Sequence, residues 1–419
     1  MPKIIGEADL ARLIERGRLV FVPGASGMPQ AFMDALHREP ERTEGLRMLT
    51  SCVPGINRLN VSAMARSARV TGLFMQRNLM QAQRERRYGV LPMSYAGFVR
   101  HLQDNVEIDL SVIQIGPPDA SGHCSLGLAA EFTPAALGKS RRVLGLINQA
   151  MPRLQNSPSV AMEDLDYVCE VGTPLPVYRP ETDPASEAIG AHIASLIEDG
   201  CALQAGLGKV PTALMKLLGD RRNLRLHSGM LSDGVKDLAE AGALDPDFLH
   251  TACVLVGSEA FYRWVPEFAP LRVAGCENTH LPAAFAGIDR FVAVNAALEV
   301  DLFGQCNLEH ADGRAISGPG GAPDFARAAR LSRKGKSVVV LGATHVSEAG
   351  AVSRIVPSLD VQGMATLGRV DVDAVVTEYG VARLEGACVH ERAEALIGVA
   401  APSFRPELER AWKGIAARL

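Results

Sequence analysis

RLVFVPGASGMPQAFMDALHRE (residues 18–39) contains, in order, an apolar β-branched run, a glycine turn and apolar residues at helical spacing. That is a strand, a tight connection and an amphipathic helix. The same succession recurs along the chain. LSVIQIG (110–116), RRVLGLIN (141–148), ACVLVG (252–257), DRFVAVN (289–295), KSVVVLG (336–342) and DAVVTEYG (373–380) all read as buried strands closed by a turn residue. PTALMKLLGD (211–220) and GVKDLAEAGAL (234–244) read as helices between them. Alternation of this kind predicts an α/β fold with mainly parallel sheets, whose ligands sit in loops at the carboxyl ends of strands.

The length of 419 residues suggests two domains of roughly 200 residues each. The proline-rich, aperiodic stretch GTPLPVYRPETDP (172–184) is the expected boundary, giving domains over 1–180 and 185–419. The two halves resemble each other in pattern, which suggests two related open α/β domains facing a cleft. A net charge of -4 gives no electrostatic reason to expect nucleic acid or an anionic membrane. The start, MPKIIGEADLARLIERG, carries acids and lacks an unbroken apolar core, so no signal peptide is expected. No run approaches the ~18 apolar residues of a membrane span. Eight cysteines without CxxC spacing, mostly in apolar runs, read as free buried thiols of a reducing cytoplasm. Neither HExxH nor clustered histidines suggest a metal.

Three glycine-rich turns precede helices: Gly24–Gly27, Gly206–Pro211 and Ser317–Asp324. Glycine allows close backbone approach, and a helix start offers unpaired N–H groups to a pyrophosphate or an oxyanion. None reads GxGxxG with a following acid, or GxxxxGK[ST], so each could equally be a plain βα connection. Acids stand near strand ends at Asp233, Glu277, Glu299 and Glu378, where a carboxylate can be nucleophile, base or capping acceptor. His227 and Ser228 are adjacent on a strand and point to opposite faces, and no GxSxG elbow accompanies them, so the pair reads as structural.

The ordered motifs SLIEDGCALQAGLGKVP (195–211), LHSGMLSDGVKDLAEAG (226–242), NAALEVDLFGQ (295–305), ISGPGGAPDFARAA (316–329), SRIVP (353–357) and VTEYGVARLEG (376–386) with ERAEALIGVAAPSFRPEL (391–408) resemble the acetyl-CoA hydrolase/transferase family. GPPDASGHCSLG (116–127) extends the resemblance into the N-terminal half. The resemblance to the 4-hydroxybutyrate CoA-transferase type implies two related α/β domains, CoA lying across the C-terminal one, and a homodimer. It implies no tightly bound cofactor; a coenzyme A thioester and a small carboxylate are substrates. It also implies ping-pong catalysis, in which a glutamate attacks the thioester to give an anhydride and then a glutamyl-CoA thioester. By the same resemblance Gly206, Leu207, Gly208, Lys209 and Val210 meet the pantetheine. Gly318 and Asp324, at the ends of the opposite turn, also bind the coenzyme, and Gly320 and Gly321 between them stabilise an oxyanion.

The chain departs from the family at its centre. Where the family reads H-S-E-M, this sequence reads His227-Ser228-Gly229-Met230, so Gly229 marks a vacant nucleophile position. In the GxGGQxD loop the glutamine is lost and Pro323 removes a backbone N–H. Glu385 stands where an arginine is usual. Three expectations follow: hydrolysis or direct acyl transfer, with Glu299 or Glu277 as base; CoA transfer on another acid such as Glu299; or acyl-CoA binding without turnover.

Overall fold

The computed structural model describes residues 1–311, 313–347, 350–360 and 363–419. The chain divides into two compact units, one of 1–179 with 249–284, the other of 180–248 with 285–419. The expected boundary near 180–185 meets the first crossing of the chain. The segment 249–284, expected in the second domain, belongs instead to the first unit. Its strands His250–Leu255 and Leu271–Val273 pair in parallel. Leu255 N donates to Leu128 O at 2.7 Å, and Cys276 N to Glu131 O at 2.6 Å. Such pairings between residues more than a hundred positions apart are invisible to a boundary read from local composition.

In the first unit an eight-stranded parallel sheet runs Lys3–Ile4, Tyr167–Val171, Val143–Asn148, Leu110–Ile115, Leu19–Val22, Arg47–Thr50, Arg69–Gly72, Tyr88–Val90. Leu110–Ile115 and Val143–Asn148 are buried at every position, as strands covered on both faces require, hence their mainly apolar character, with Ser111, Gln114 and Asn148 hydrogen-bonded. The strand order reverses at Leu19–Val22, the strand of the opening motif. A crevice therefore forms beyond its carboxyl end.

The second unit repeats the plan. Its strands Arg225–Leu231, Ala202–Ala205, Phe291–Ala296, Lys336–Val340 and Ala374–Thr377 are parallel neighbours, and Gly380–Arg383 closes the edge as an antiparallel hairpin. Order reverses here at Ala202–Ala205. Phe291, fully buried, packs against Phe285 and Phe325 with ring centroids 5.6 and 6.3 Å away. A smaller sheet joins Glu299–Asp301 to Cys306–Asn307 and Ile355–Val356. The strands expected from sequence are all present, and the α/β class holds. Among the described residues no helix is long and apolar enough to cross a membrane. All eight cysteines are free thiols, seven of them buried.

Candidate functional site

In the second unit the strand Ala202–Ala205 ends in Gly206–Gly208, and the helix Lys209–Leu217 begins directly after. Gly208 has φ +130°, a conformation open to glycine and strained for any L side chain. Nothing lies within 4 Å of where a Cβ on Gly206 would sit, so its backbone faces open space. Gly206, Leu207, Gly208, Lys209 and Val210 line a cavity of about 260 Å³ with Val294–Ala297, Val340–Gly342 and Arg354. Those are the carboxyl ends of the neighbouring strands, where an open parallel sheet places its ligands. Lys209 Nζ donates to Asp183 at 2.8 Å, and this ammonium, with the Ser186 N–H, holds the Asp183 carboxyl down at about 2. Asp183 also caps the helix Pro184–Ala194.

Gly229 lies half-exposed on the strand Arg225–Leu231. Its neighbour Ser228 is buried and donates to Ala205 O at 2.8 Å and Met230 O at 2.9 Å. His227 is buried against Phe285 and Phe291, 5.2 and 6.2 Å between ring centroids. These contacts agree with a structural role for that pair. Met230 and Gly206 line one small crevice with Ala205, Pro211 and Met215, so the strand bearing Gly229 runs beside the glycine loop.

The remaining site residues lie elsewhere in this unit. Gly318 and Gly320 are buried, Gly320 with φ +57°, and Gly321 caps the helix Ala322–Leu331. Pro323 sits in the first turn of that helix, where a backbone N–H has no intrahelical partner, so its loss there costs the helix nothing. Asp324 follows in the same turn, and its N–H donates to Gly321 O at 3.1 Å. Glu299, half-buried on the small sheet, accepts from Asn307 Nδ2 at 3.0 Å. Neither Glu299 nor the turn 318–324 lines the cavity at Gly206–Val210. Glu378 accepts from Ala343 N at 2.8 Å, and Glu277 belongs to the first unit, where burial raises its carboxyl.

The first unit holds a site that the sequence did not reveal. A cavity of about 620 Å³ is lined by Ala25, Met28, Gln30, His37, Asn57, Arg58 and Gln114, among others, with Arg58 the one formally charged side chain in its wall. His37 Nε2 is buried there without a hydrogen-bond partner. The turn Gly24–Gly27 forms part of the wall, but its first amides are already engaged. Gly24 N donates to Ser51 Oγ at 2.9 Å and Glu131 Oε2 at 3.3 Å, and Ala25 N to Asn57 Oδ1 at 2.6 Å. Those two N–H groups are thus not free for an anion, contrary to one option the sequence left open.

Glu131 is fully buried, with Ser51 Oγ donating to its Oε2 at 2.7 Å. Burial pushes its carboxyl up to about 7, against the opposing pull of the Ser51 and Gly24 hydrogen bonds. Ala25 and Glu131 both occupy left-handed backbone, at φ +48° and +39°, of order 1–3 kcal/mol of strain each. The signal for Glu131 was an acid inside the apolar run SLGLAAEFTPAAL. Close by in the fold, ligand atoms of Cys253, Cys276 and His280 converge within 4.8 Å in the buried core. Desolvation holds the Cys276 thiol well above its ordinary range, which favours the neutral thiol.

The chain matches the acetyl-CoA hydrolase/transferase N-terminal domain over residues 89–177 and the corresponding C-terminal domain over 257–412. It is 32% identical to 4-hydroxybutyrate coenzyme A transferase of Clostridium kluyveri, over 98% of this chain and 97% of that one. The crystal structure of RipA from Yersinia pestis superposes with TM-score 0.89 at 27% identity, covering 99% and 98% of the two chains. A 4-hydroxybutyrate CoA-transferase structure from Porphyromonas gingivalis gives TM-score 0.81 at 27% identity, covering 100% and 98%. The chain belongs to the acetyl-CoA hydrolase/transferase family.

Proposed function

We propose that this protein is an acyl-CoA enzyme that works by hydrolysis or by direct acyl transfer to a bound acceptor, without a covalent glutamyl intermediate. One observation carries the reading. The glycine loop Gly206–Val210 lies with the carboxyl ends of two parallel strands around one cavity, beside the strand Arg225–Leu231, on which the family resemblance puts the nucleophile position at Gly229. The loop receives the pantetheine arm, with Lys209 and the open backbone at Gly206 as its polar and close-approach elements. Glycine at 229 has no atom to attack a thioester. The space left by a carboxyl and its methylenes suits water or a cosubstrate oxygen. That oxygen attacks the thioester carbonyl, the C–S bond breaks, and the sulfur leaves as CoA thiolate, protonated on release. Gly320 and Gly321 as donors to the oxyanion and Glu299 as base rest on the family resemblance alone, since none of the three lines the Gly206–Val210 cavity.

The first-unit cavity takes a small carboxylate. Arg58 supplies the complementary charge. The 4-hydroxybutyrate coenzyme A transferase relative fits a short carboxylate in this role. The enzyme acts as a homodimer in the reducing cytoplasm, with no tightly bound cofactor.

The test is a panel of acyl-CoA thioesters incubated with and without a short carboxylate, following free thiol and the acyl-CoA pool. Thiol release without a carboxylate, or acyl transfer to a non-carboxylate acceptor, supports the reading. Carboxylate-dependent exchange that traps a CoA adduct on a protein acid points to transfer on another acid such as Glu299. Saturable binding without turnover of any thioester identifies a binding protein, and each of these last two results contradicts the proposal.

A further inference from the structure

The wall of the first-unit cavity is not a relaxed turn. Gly24 packs so closely on the Ser51 carbonyl that any Cβ there would overlap it. Ala25 is held in left-handed backbone by Asn57, which accepts from Ala25 N and Val53 N and donates to Ala25 O at 2.9 Å. Ser26 Oγ donates to Leu255 O at 2.8 Å, and Gln114 Nε2 to Ser26 O at 3.3 Å. Behind the turn stands Glu131, whose Oε2 gathers Gly24 N and Ser51 Oγ while Oε1 is buried without a partner. A strained backbone persists only where its surroundings over-determine it, and such places cluster at ligand sites. These contacts converge on Gly24, Ala25 and Ser26, and Ala25 is the member of the turn that lines the cavity.

We propose that Glu131 is a positioning residue, which locks the turn Gly24–Gly27 from behind and thereby shapes the first-unit cavity for its small carboxylate ligand. The assignment of that ligand rests on the function proposed above; the locking of the turn does not. Glu131 touches no reacting atom. It acts through the Gly24 amide and the Ser51 hydroxyl, and its neutral form suits both the burial and the anion expected nearby. The titratable groups that act on or around it are Cys52, beyond Ser51, Tyr95 on the helix Tyr95–Asn105, and Cys276 on the turn Cys276–Asn278. Burial holds all three above their ordinary values, which keeps them neutral beside it. No cation contributes to the pull on its carboxyl. Ionising Glu131 as pH rises past about 7 leaves a buried charge that only the Gly24 and Ser51 donors offset and that repels a carboxylate in the cavity.

Hydrogen exchange on the full-length protein, without ligand, reads the lock directly. Glu131→Ala should speed exchange of the Gly24 and Ala25 amides at least about tenfold at pH 6.5, and Glu131→Gln, which keeps an accepting oxygen, should leave them protected. Ser51→Ala, a smaller change, should give an intermediate effect and serves if the alanine variant at 131 does not fold. With butyrate as the carboxylate, Glu131→Ala should raise its KM or Kd at least tenfold, Ser51→Ala by less and Glu131→Gln hardly at all, leaving CoA affinity unchanged. Wild-type butyrate affinity should fall above about pH 7, and the glutamine variant should be flat. Unchanged amide exchange in Glu131→Ala and Ser51→Ala overturns the lock. Altered exchange with unaltered butyrate affinity overturns its role in shaping the site. Should the wild type neither bind butyrate nor act on any thioester, the proposed function fails, and the exchange result still decides whether Glu131 holds the turn.

Discussion

Restoring a carboxylate at position 229 is the sharpest single-residue probe of the chemistry. Gly229 is half-exposed on its strand, so a glutamate there need not bury its charge. Gly229→Glu should gain carboxylate-dependent CoA exchange, with a CoA adduct on the new residue in intact-mass spectra; no gain would mean that this position does not face the bound thioester. Glu131 supports a second prediction, on stability. Its carboxyl is raised in the folded protein to about 7, above the ordinary carboxylate value it takes when unfolded. Its contribution is therefore fully present below about pH 4.3 and is lost as pH rises to about 7, a change of ~3 kcal/mol. Urea unfolding of wild type against Glu131→Gln should show the wild type losing about that much relative to the variant between pH 4.5 and 8. A pH-independent difference would mean the carboxyl titrates normally. Gly229 was legible in the sequence because an ordered motif surrounds it. Glu131 was not, because its partners Ser51 and Gly24 lie 80 and 107 residues away.

At the scale of elements, the strands were legible because parallel strands buried on both faces must be mainly apolar, and runs such as LSVIQI admit no other reading. The glycine turns were legible as turns but not in function. Gly208 needs its positive φ and precedes a helix start that lines a cavity, whereas Gly24 is glycine because of the Ser51 carbonyl behind it. Those are different physical demands on the same residue type. Gly208→Ala should therefore strain the turn before Lys209–Leu217 by ~1–2 kcal/mol and weaken CoA binding at least tenfold by calorimetry. Unchanged CoA affinity with normal folding would remove this loop from the thioester site.

For the whole molecule, the fold class followed from the alternation of strand and helix patterns, and the family from the order of motifs. The membership of 249–284 in the first unit did not, since it depends on pairings such as Leu255 with Leu128. Each unit carries its own reversal of strand order and its own cavity, and the cores behind them hold those cavities in shape. Phe291→Ala, in the aromatic cluster with Phe285 and Phe325, should cost ~3–5 kcal/mol in denaturant unfolding. A loss below about 1 kcal/mol would mean that the cluster repacks around the gap. The central claim concerns the route of the acyl group, and the intact mass of the wild-type protein during steady acyl-CoA turnover tests it most directly. The account predicts an unmodified protein mass while free CoA accumulates. A protein carrying CoA in thioester linkage to one of its own carboxylates, at Glu299 or any other acid, would contradict it.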